Sequence, residues 1–217
     1  MANRLAFPDR RLVLSSASSL LLAGCGGLGL GPTDTAANAT IYLLDPPIRT
    51  ATGGQAVPWA LAVDIPDASD ALDTRRIALI KADATMDYYA NALWPDRLPL
   101  LVQTALVAGF ESGGRVASVA RAQDAIHADY ELGVEIRDCA AHYSAADAAP
   151  GVTVSLVAHM FTAHARKIVA SLTARQTAAA DQNSTAAAVA AFNSAVGAAV
   201  DQIVDWAAAL PPPPVAN

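Results

Sequence analysis

Residues 130–137 constrain the fold of this chain more than any other stretch. Apolar and other residues alternate along it without exception. The apolar set is Tyr130, Leu132, Val134 and Ile136, and the residues between them are Glu131, Gly133, Glu135 and Arg137. An alternation of period two predicts a β-strand with one buried face and one solvated face. The sheet that contains this strand therefore needs a covering layer on one side.

Two stretches with helical periodicity can supply that layer. Their apolar residues recur at steps of three or four, at Leu98, Leu101, Val102, Ala105, Leu106 and Phe110 in the first and at Val189, Phe192, Val196, Val200, Ile203, Trp206 and Leu210 in the second. We place Asp96 and Ser184 as the N-caps and Gly113-Gly114 as the end of the first helix. Because each helix has one apolar face, we expect both to pack on the core. For the first helix, the alternative is that its apolar face lines a ligand groove.

The remaining elements are short strands separated by turn-forming residues. Besides residues 130–137, we predict strands at 40–45, 59–65, 76–81, 86–89, 115–120, 152–162 and 167–175, a helical turn at 122–127, a loop at 138–151 and a linker at 178–183. Strands 152–162 and 167–175 are close enough to form an antiparallel hairpin. The order of elements predicts an α/β (α+β) fold, with a single domain, a mixed and mostly antiparallel sheet, and two long helices packed on one face.

The N-terminal residues carry the signature of an export signal. Arg4, Arg10 and Arg11 precede the apolar run 12–23, which is too short to span a bilayer as a permanent helix. The box Leu-Ala-Gly-Cys that ends at Cys25 is similar to a bacterial lipobox. That similarity implies cleavage before Cys25, lipidation of its thiol and acylation of its new amine. An ordinary cleaved signal with Cys25 incidental is the alternative.

The predicted domains follow from this signal. Residues 1–24 are the signal peptide, and residues 25–38 form a flexible tether rich in Gly, Thr and Ala. Residues 39–210 form the folded domain, and residues 211–217 form a Pro-rich tail.

The net charge excludes several classes of partner. The chain carries a formal charge of −6, and the signal segment contributes three arginines and one aspartate, so the mature chain is near −8. Its only lysines are Lys81 and Lys167. Such an acidic domain predicts no binding to nucleic acid or to an anionic membrane surface. Acyl chains at Cys25 are then the expected means of membrane attachment.

The sequence contains no recognisable catalytic or metal-binding constellation. Cys139 is predicted to be a small buried hydrophobe, with a reactive thiol served by His142 as the alternative. The other histidines, His127, His159 and His164, lack metal-ligand spacing, so no metal and no cofactor is expected. Glu131 and Glu135 share one face of a strand and could serve acid–base chemistry, although a solvated face fits them better. The large side chains Trp59, Met86, Trp94 and Trp206 are interpreted as core or interface residues.

The ordered set of segments resembles the ABC-type transport auxiliary lipoprotein family, the PqiC-like proteins. The segments that carry the resemblance are Ile41-Tyr42-Leu43-Leu44, Val63-Asp64-Ile65-Pro66, Asp70-Ala71-Leu72-Asp73, Tyr88-Tyr89-Ala90-Asn91-Ala92-Leu93-Trp94, Ala128-Asp129-Tyr130-Glu131-Leu132 and Val134-Glu135-Ile136-Arg137-Asp138. Two features depart from the pattern. Cys139 stands in place of an aromatic residue, and the hairpin turn at 163–167 lacks Asp and Gly.

The resemblance implies a role beside a transporter. It implies a periplasm-facing lipoprotein that works with an ABC permease and ATPase and with a membrane-anchored mammalian-cell-entry (MCE) subunit, in a system that moves phospholipid or other hydrophobic molecules between the inner and outer membranes. A homo-oligomer is a further expectation, because such a partner is itself symmetric. Gly26, rather than Asp, follows Cys25 and favours the outer membrane. The alternatives are a stand-alone lipoprotein that binds an apolar ligand or scaffolds the envelope, and an envelope hydrolase that uses Cys139 and His142.

Overall fold

The computed structural model describes residues 39–50, 56–124 and 127–212. Its elements are β1 Thr40–Ile41, β2 Val57–Val63, β3 Asp67–Ala68, β4 Arg76–Ile80, β5 Met86–Leu93, α1 Leu98–Gly113, β6 Val116–Arg121, a 3₁₀ turn Ala122–Asp124, β7 Tyr130–His142, β8 Gly151–Thr162, β9 Ile168–Ala179 and α2 Thr185–Ala208. The predicted signal peptide, Cys25 and the tether 25–38 lie outside the described residues, as do residues 213–217 of the predicted tail.

Strand β7 is the centre of a nine-stranded mixed sheet. One edge of β7 pairs antiparallel with β8 along its whole length. The other edge pairs in parallel with β2, β3 and β4 in succession. The sheet continues from β8 to β9, from β4 to β5 and β1, and from β2 to β6. The two longest ladders, β7–β8 and β8–β9, are antiparallel, and most of the paired residues of the sheet belong to them. The predicted mixed, mostly antiparallel sheet is therefore confirmed.

The predicted loop 138–151 begins too early. Strand β7 continues to His142, and a register shift lies between Ile136 and Asp138. This bulge places one extra residue in β7, so that Cys139 follows Ile136 on the buried face despite the odd spacing. The sequence hides the continuation because the alternation of residues 130–137 breaks at the bulge.

Other boundaries differ by a few residues. Strand β5 covers eight residues instead of four, β9 extends into the predicted linker as far as Ala179, and β1 is shorter than predicted. The two-residue strand β3 lies between the predicted strands 59–65 and 76–81, where no strand is predicted. These ends depend on pairing with distant strands, which local composition does not encode.

Both helices cover the face of the sheet that carries the apolar side chains of β7. Leu132, Val134 and Ile136 are buried in the same cluster as Phe110 of α1 and Phe192 of α2. The two long helices on one face are therefore confirmed. The helix α2 is long and apolar enough to span a bilayer, but 61% of its most apolar window is buried inside the domain, as expected for a core helix.

The N-cap prediction is right for one helix and wrong for the other. Ser184 caps α2, since its side-chain oxygen accepts a hydrogen bond from Ala187 N at 3.2 Å. The N-cap of α1 is Arg97, which makes no side-chain cap. Asp96 instead accepts a hydrogen bond from the backbone N–H of Arg97 at 2.7 Å. Pro99 in the first turn compensates, because that turn needs no intrahelical donor.

Residues 42–49, here called the strap, leave β1 and extend along the outer side of α2. Asp45 N donates to Asn193 Oδ1 at 2.9 Å. Pro47 lies so close to α2 that a Cβ on Gly197 would be 2.7 Å from its carbonyl oxygen. The glycine at position 197 is therefore required by the close approach of the strap.

Ion pairs hold the end of the strap. Arg49 contacts Asp201 at 3.2 Å and Asp205 at 3.1 Å. Arg115, which follows α1, contacts the other oxygen of Asp205 at 3.4 Å. The strap therefore binds one stripe of α2 whose residues are spaced by four, namely Asn193, Gly197, Asp201 and Asp205.

Candidate partner-binding groove

A groove lies on the helix-free face of the sheet. It is lined by side chains of β7 and β8 that alternate with the buried ones, by the residues that follow β2, and by the β8–β9 turn. The volume of the groove is about 1160 Å³. The principal lining residues are Asp64, Ile65, Asp67, Gly133, Glu135, Arg137, His159, Phe161 and Arg166.

One wall of the groove is built around Arg166. Its Nη1 contacts Glu131 Oε2 at 2.8 Å, and its Nη2 lies 4.0 Å from Asp64 Oδ2. Burial raises the pKa of Asp64, and the neighbouring charges of Glu131 and Asp67 raise it further, while Arg166 opposes them. The arginine therefore neutralises Glu131 and leaves Asp64 with a weaker partner.

Arg166 occupies a left-handed conformation in the β8–β9 turn. Its φ is 44°, and its backbone N–H donates to Thr162 O at 2.8 Å. Glycine is the usual residue at such a position. In this turn, which lacks Gly and Asp, Arg166 takes that position instead. The left-handed residue directs its side chain back over the sheet, where the ion pair with Glu131 holds it.

The floor of the groove is aromatic. A Cβ on Gly133 would lie 2.9 Å from Phe161 Cε2, so the Phe161 ring packs directly on the bare backbone of β7. The guanidinium of Arg166 lies 5.5 Å from the centroid of that ring. His159, on the same face of β8, contacts Ser171 Oγ of β9 through Nδ1 at 2.7 Å.

The carboxylates Glu131 and Glu135 are each bound to an arginine. Glu135 contacts Arg137 at 3.1 Å, and Glu131 contacts Arg166. Both ion pairs lie on the helix-free face, in agreement with the predicted solvated face. Each of the two acids therefore has an arginine as its partner.

The thiol of Cys139 is buried among core residues. Its residue exposure is 2%, and burial, with a smaller effect of Asp138, raises its pKa to about 12. His142 Nε2 contacts Asp138 Oδ2 at 3.1 Å. The structure thus confirms Cys139 as a small buried hydrophobe and gives His142 a carboxylate partner.

The remaining residues singled out in the sequence are histidines, tryptophans and Met86. His127 and His164 are exposed, and within residues 39–50, 56–124 and 127–212 no group of three acidic, His or Cys side chains could hold a metal ion. Trp59 and Trp94 are 2% exposed and pack edge-on against Tyr130 and Phe192. Trp206 is half-buried. Met86 is 40% exposed and is not a core residue, since it lies at the start of β5 near the rim of the sheet.

The segment that contributed most to the family resemblance has a structural role. The OH of Tyr88 donates to Ala71 O at 3.0 Å, and the guanidinium of Arg76 lies 3.6 Å from the centre of its ring. Tyr89 OH contacts Tyr143 OH at 2.9 Å. Asn91 takes a left-handed φ of 53° within β5. This segment ties β5 to its neighbours and does not line the groove.

A smaller cavity of about 440 Å³ lies at one end of the sheet. Its lining includes Leu79, Lys81, Tyr143, Ala146 and Asn183. The Lys81 ammonium contacts Asp87 at 2.6 Å. The surface that lines this cavity is mainly apolar.

The groove has little local signature in the sequence. The alternation of β8 does place His159 and Phe161 on one face. The contacts of Arg166 with Glu131 and Asp64, however, join residues 35 or more positions apart, which no local pattern signals. A single glycine in an otherwise branched and charged strand, Gly133, is the one signal that could have indicated close packing there.

Comparison with known proteins gives the family. The family model described as ABC-type transport auxiliary lipoprotein component matches residues 42–204. An uncharacterised protein of Bradyrhizobium diazoefficiens is 30% identical over 165 residues, 76% of this chain, and the chain spans 44% of that relative's length.

Two solved structures share the fold. A crystal structure of a Xanthomonas campestris protein matches with a TM-score of 0.70 and 29% identity, covering 78% of this chain and 94% of that one. The crystal structure of a second, uncharacterised protein has a TM-score of 0.59 and 15% identity, with 78% and 99% covered, and shows the fold alone. Because the family model matches most of its length, the chain belongs to the ABC-type transport auxiliary lipoprotein family.

Proposed function

We propose that the protein is a lipid-anchored, non-enzymatic auxiliary component of an MCE-type ABC transport system. The system would move phospholipid or other hydrophobic molecules between the inner and outer membranes. Cys25 would carry the lipid, residues 25–38 would give the domain reach, and the domain would face the periplasm from the outer membrane. Membership in the auxiliary lipoprotein family supports the association with an ABC transporter.

The observation that carries the proposal is the groove on the helix-free sheet face. Its floor is the Phe161 ring and its wall contains Arg137 and Arg166. Aromatic residues and arginine are the types enriched in protein-binding surfaces. The groove would dock the MCE subunit. The core-facing side of the sheet is filled by the two helices, so it cannot serve as a binding surface.

The experiment combines a pull-down with a transport assay. The tagged lipoprotein, extracted in mild detergent, is expected to retain the MCE subunit and permease of its own system. Deletion of its gene is expected to alter the distribution of phospholipid between the two membranes, and the wild-type gene is expected to restore it. Retention of neither subunit, together with an unchanged lipid distribution, would refute the proposal.

A stand-alone lipoprotein that binds an apolar ligand is the second candidate. The cavity of about 440 Å³ beside Leu79 and Tyr143 favours it, because its size suits a short hydrophobic group. Native mass spectrometry of gently purified protein distinguishes the two functions. A retained lipid of constant mass would support ligand binding by the domain itself, and apo-protein alone would count against it.

A further inference from the structure

We infer that the groove on the helix-free face seats a basic side chain, lysine or arginine, carried by an extended segment of a protein partner. The inference deepens the proposed function, on which it rests, by giving the chemistry of the docking contact. The first support is the excess of carboxylates over free cations. The acids that line the groove are Asp64, Asp67 and Glu135, and its arginines are Arg137 and Arg166. A fourth acid, Glu131, lies beside the groove and is the partner of Arg166.

The two arginines are already engaged. Arg137 is bound to Glu135 at 3.1 Å and Arg166 to Glu131 at 2.8 Å, so their charges are satisfied within the wall. Among the described residues, Asp64 has one ion-pair partner, Arg166, at the longer distance of 4.0 Å. Its pKa is raised by partial burial and by the charges of Glu131 and Asp67. A cation that enters beside Asp64 would relieve this repulsion, whereas an anion would increase it.

The groove also offers an apolar surface for the aliphatic stem of such a side chain. The Phe161 ring forms the floor, and Ile65 is 48% exposed at the rim. Lysine and arginine bury their methylene stems against apolar surface while the charged head reaches a polar partner. An aromatic floor beside a half-buried carboxylate therefore fits a basic side chain better than a free inorganic cation.

The size and charge of the site select a protein partner. A volume of about 1160 Å³ is far larger than one side chain, so neighbouring residues of the same segment would fill the remainder. The negative charge of the mature chain, near −8, disfavours an anionic lipid surface and favours approach by a basic segment. Specificity would come from Asp64, because its carboxylate is partly buried and lies farther from Arg166 than that of Glu131 does.

The test measures binding of defined peptides to the mature lipoprotein in detergent micelles. The probe is fluorescein-labelled Leu-Arg-Leu-Arg-Leu amide, and the matched peptides carry Glu or Gln in place of Arg. The variants are Asp64→Asn and the control Asp181→Asn, which removes the same charge from an exposed position outside the groove. Fluorescence anisotropy gives the dissociation constants, and far-UV circular dichroism checks that both variants fold.

The Arg peptide is expected to bind at least about tenfold more tightly than the Glu peptide, and its affinity is expected to fall as salt is raised. Asp64→Asn is expected to weaken that binding about fivefold, the usual size for one partly exposed ion pair. Asp181→Asn is expected to change it less than twofold. Equal binding of the three peptides, or equal binding to wild type and Asp64→Asn, would overturn the inference.

The pull-down separates this inference from the proposed function. If the wild-type lipoprotein retains the MCE subunit and Asp64→Asn retains it equally, the basic-segment inference is wrong and the transport function stands. If Asp64→Asn loses the subunit and Asp181→Asn keeps it, the inference is supported. If the wild type retains no subunit and the deletion leaves the lipid distribution unchanged, the proposed function fails, and the peptide measurements alone then decide whether the groove binds a basic segment.

Discussion

Replacement of Gly197 by alanine tests how the strap is seated on α2. The new Cβ would lie 2.7 Å from Pro47 O, whereas ordinary van der Waals contact begins at 3.4 Å. The strap must therefore move outward by the difference, about 0.7 Å. The same shift would lengthen the Asp45 N to Asn193 Oδ1 bond from 2.9 Å to roughly 3.6 Å, which is beyond hydrogen-bonding distance.

The energetic consequences oppose one another. The alanine gains about 1 kcal/mol of helix propensity. It loses a hydrogen bond of about 1 kcal/mol and overpacks the contact at a cost of about 1–3 kcal/mol. The free energy of unfolding should therefore fall by about 1–3 kcal/mol, and hydrogen exchange at the Asp45 amide should accelerate.

Urea unfolding followed by circular dichroism gives the free energy, and mass spectrometry gives the exchange rate. Ser194→Ala is the matched control, because it introduces the same residue at an exposed position of α2 next to Asn193. It is expected to change the stability by less than about 0.5 kcal/mol. A Gly197→Ala protein that gains stability, with unchanged exchange at Asp45, would refute the close packing of the strap.

Four further predictions follow from individual residues. Cys25→Ser should leave the domain folded but move the protein from the membrane to the soluble fraction, and a variant that stays with membranes would contradict lipid anchoring at Cys25. The Cys139 thiol, with its pKa raised to about 12, should resist iodoacetamide at pH 8 until urea unfolds the domain, so rapid labelling of the native protein would contradict its burial. Because the pKa of Asp64 is raised in the folded state, its ionisation opposes folding above the unfolded pKa of about 3.9. Asp64→Asn should therefore raise the urea midpoint at pH 7 and change it little at pH 3, and an equal effect at both pH values would exclude this cause. Trp94→Ala should lower the unfolding free energy by about 3–5 kcal/mol, because it empties a 2% exposed site that packs on Phe192, and a loss below about 1 kcal/mol would be inconsistent with that packing.

The alternation of residues 130–137 was sufficient to predict a sheet with one covered face, and the helical spacings around Phe110 and Phe192 identified what covers it. Both signals are local, so a single sequence contains them. The bulge before Cys139 was missed because it depends on the register with β8. The strap was not predicted either, because its contacts with α2 join residues about 150 positions apart.

The groove, too, depends on contacts between distant residues that local sequence patterns do not predict. Sequence identified Glu131 and Glu135 as neighbours on a solvated face, which the structure bears out. It did not identify Arg166 as the partner of Glu131, because the turn between β8 and β9 brings the arginine back across the sheet. Arg166 has a left-handed backbone conformation at a position where glycine is usual. Tertiary contacts determine this conformation, and no residue pattern within 163–167 predicts it.

The central position of β7 has a consequence for the order of folding. Among the described strands, the group β1-β5-β4 and the group β6-β2 are hydrogen-bonded to each other only through β7. Residues 39–129 alone would therefore hold two small groups of strands with no strand pairing between them, and such small groups are marginal in water. The long sequence separations within these parallel pairs make their closure slow. We therefore expect the sheet of the first half of the chain to be completed only when the stretch ending at His142 is available to join its two groups of strands.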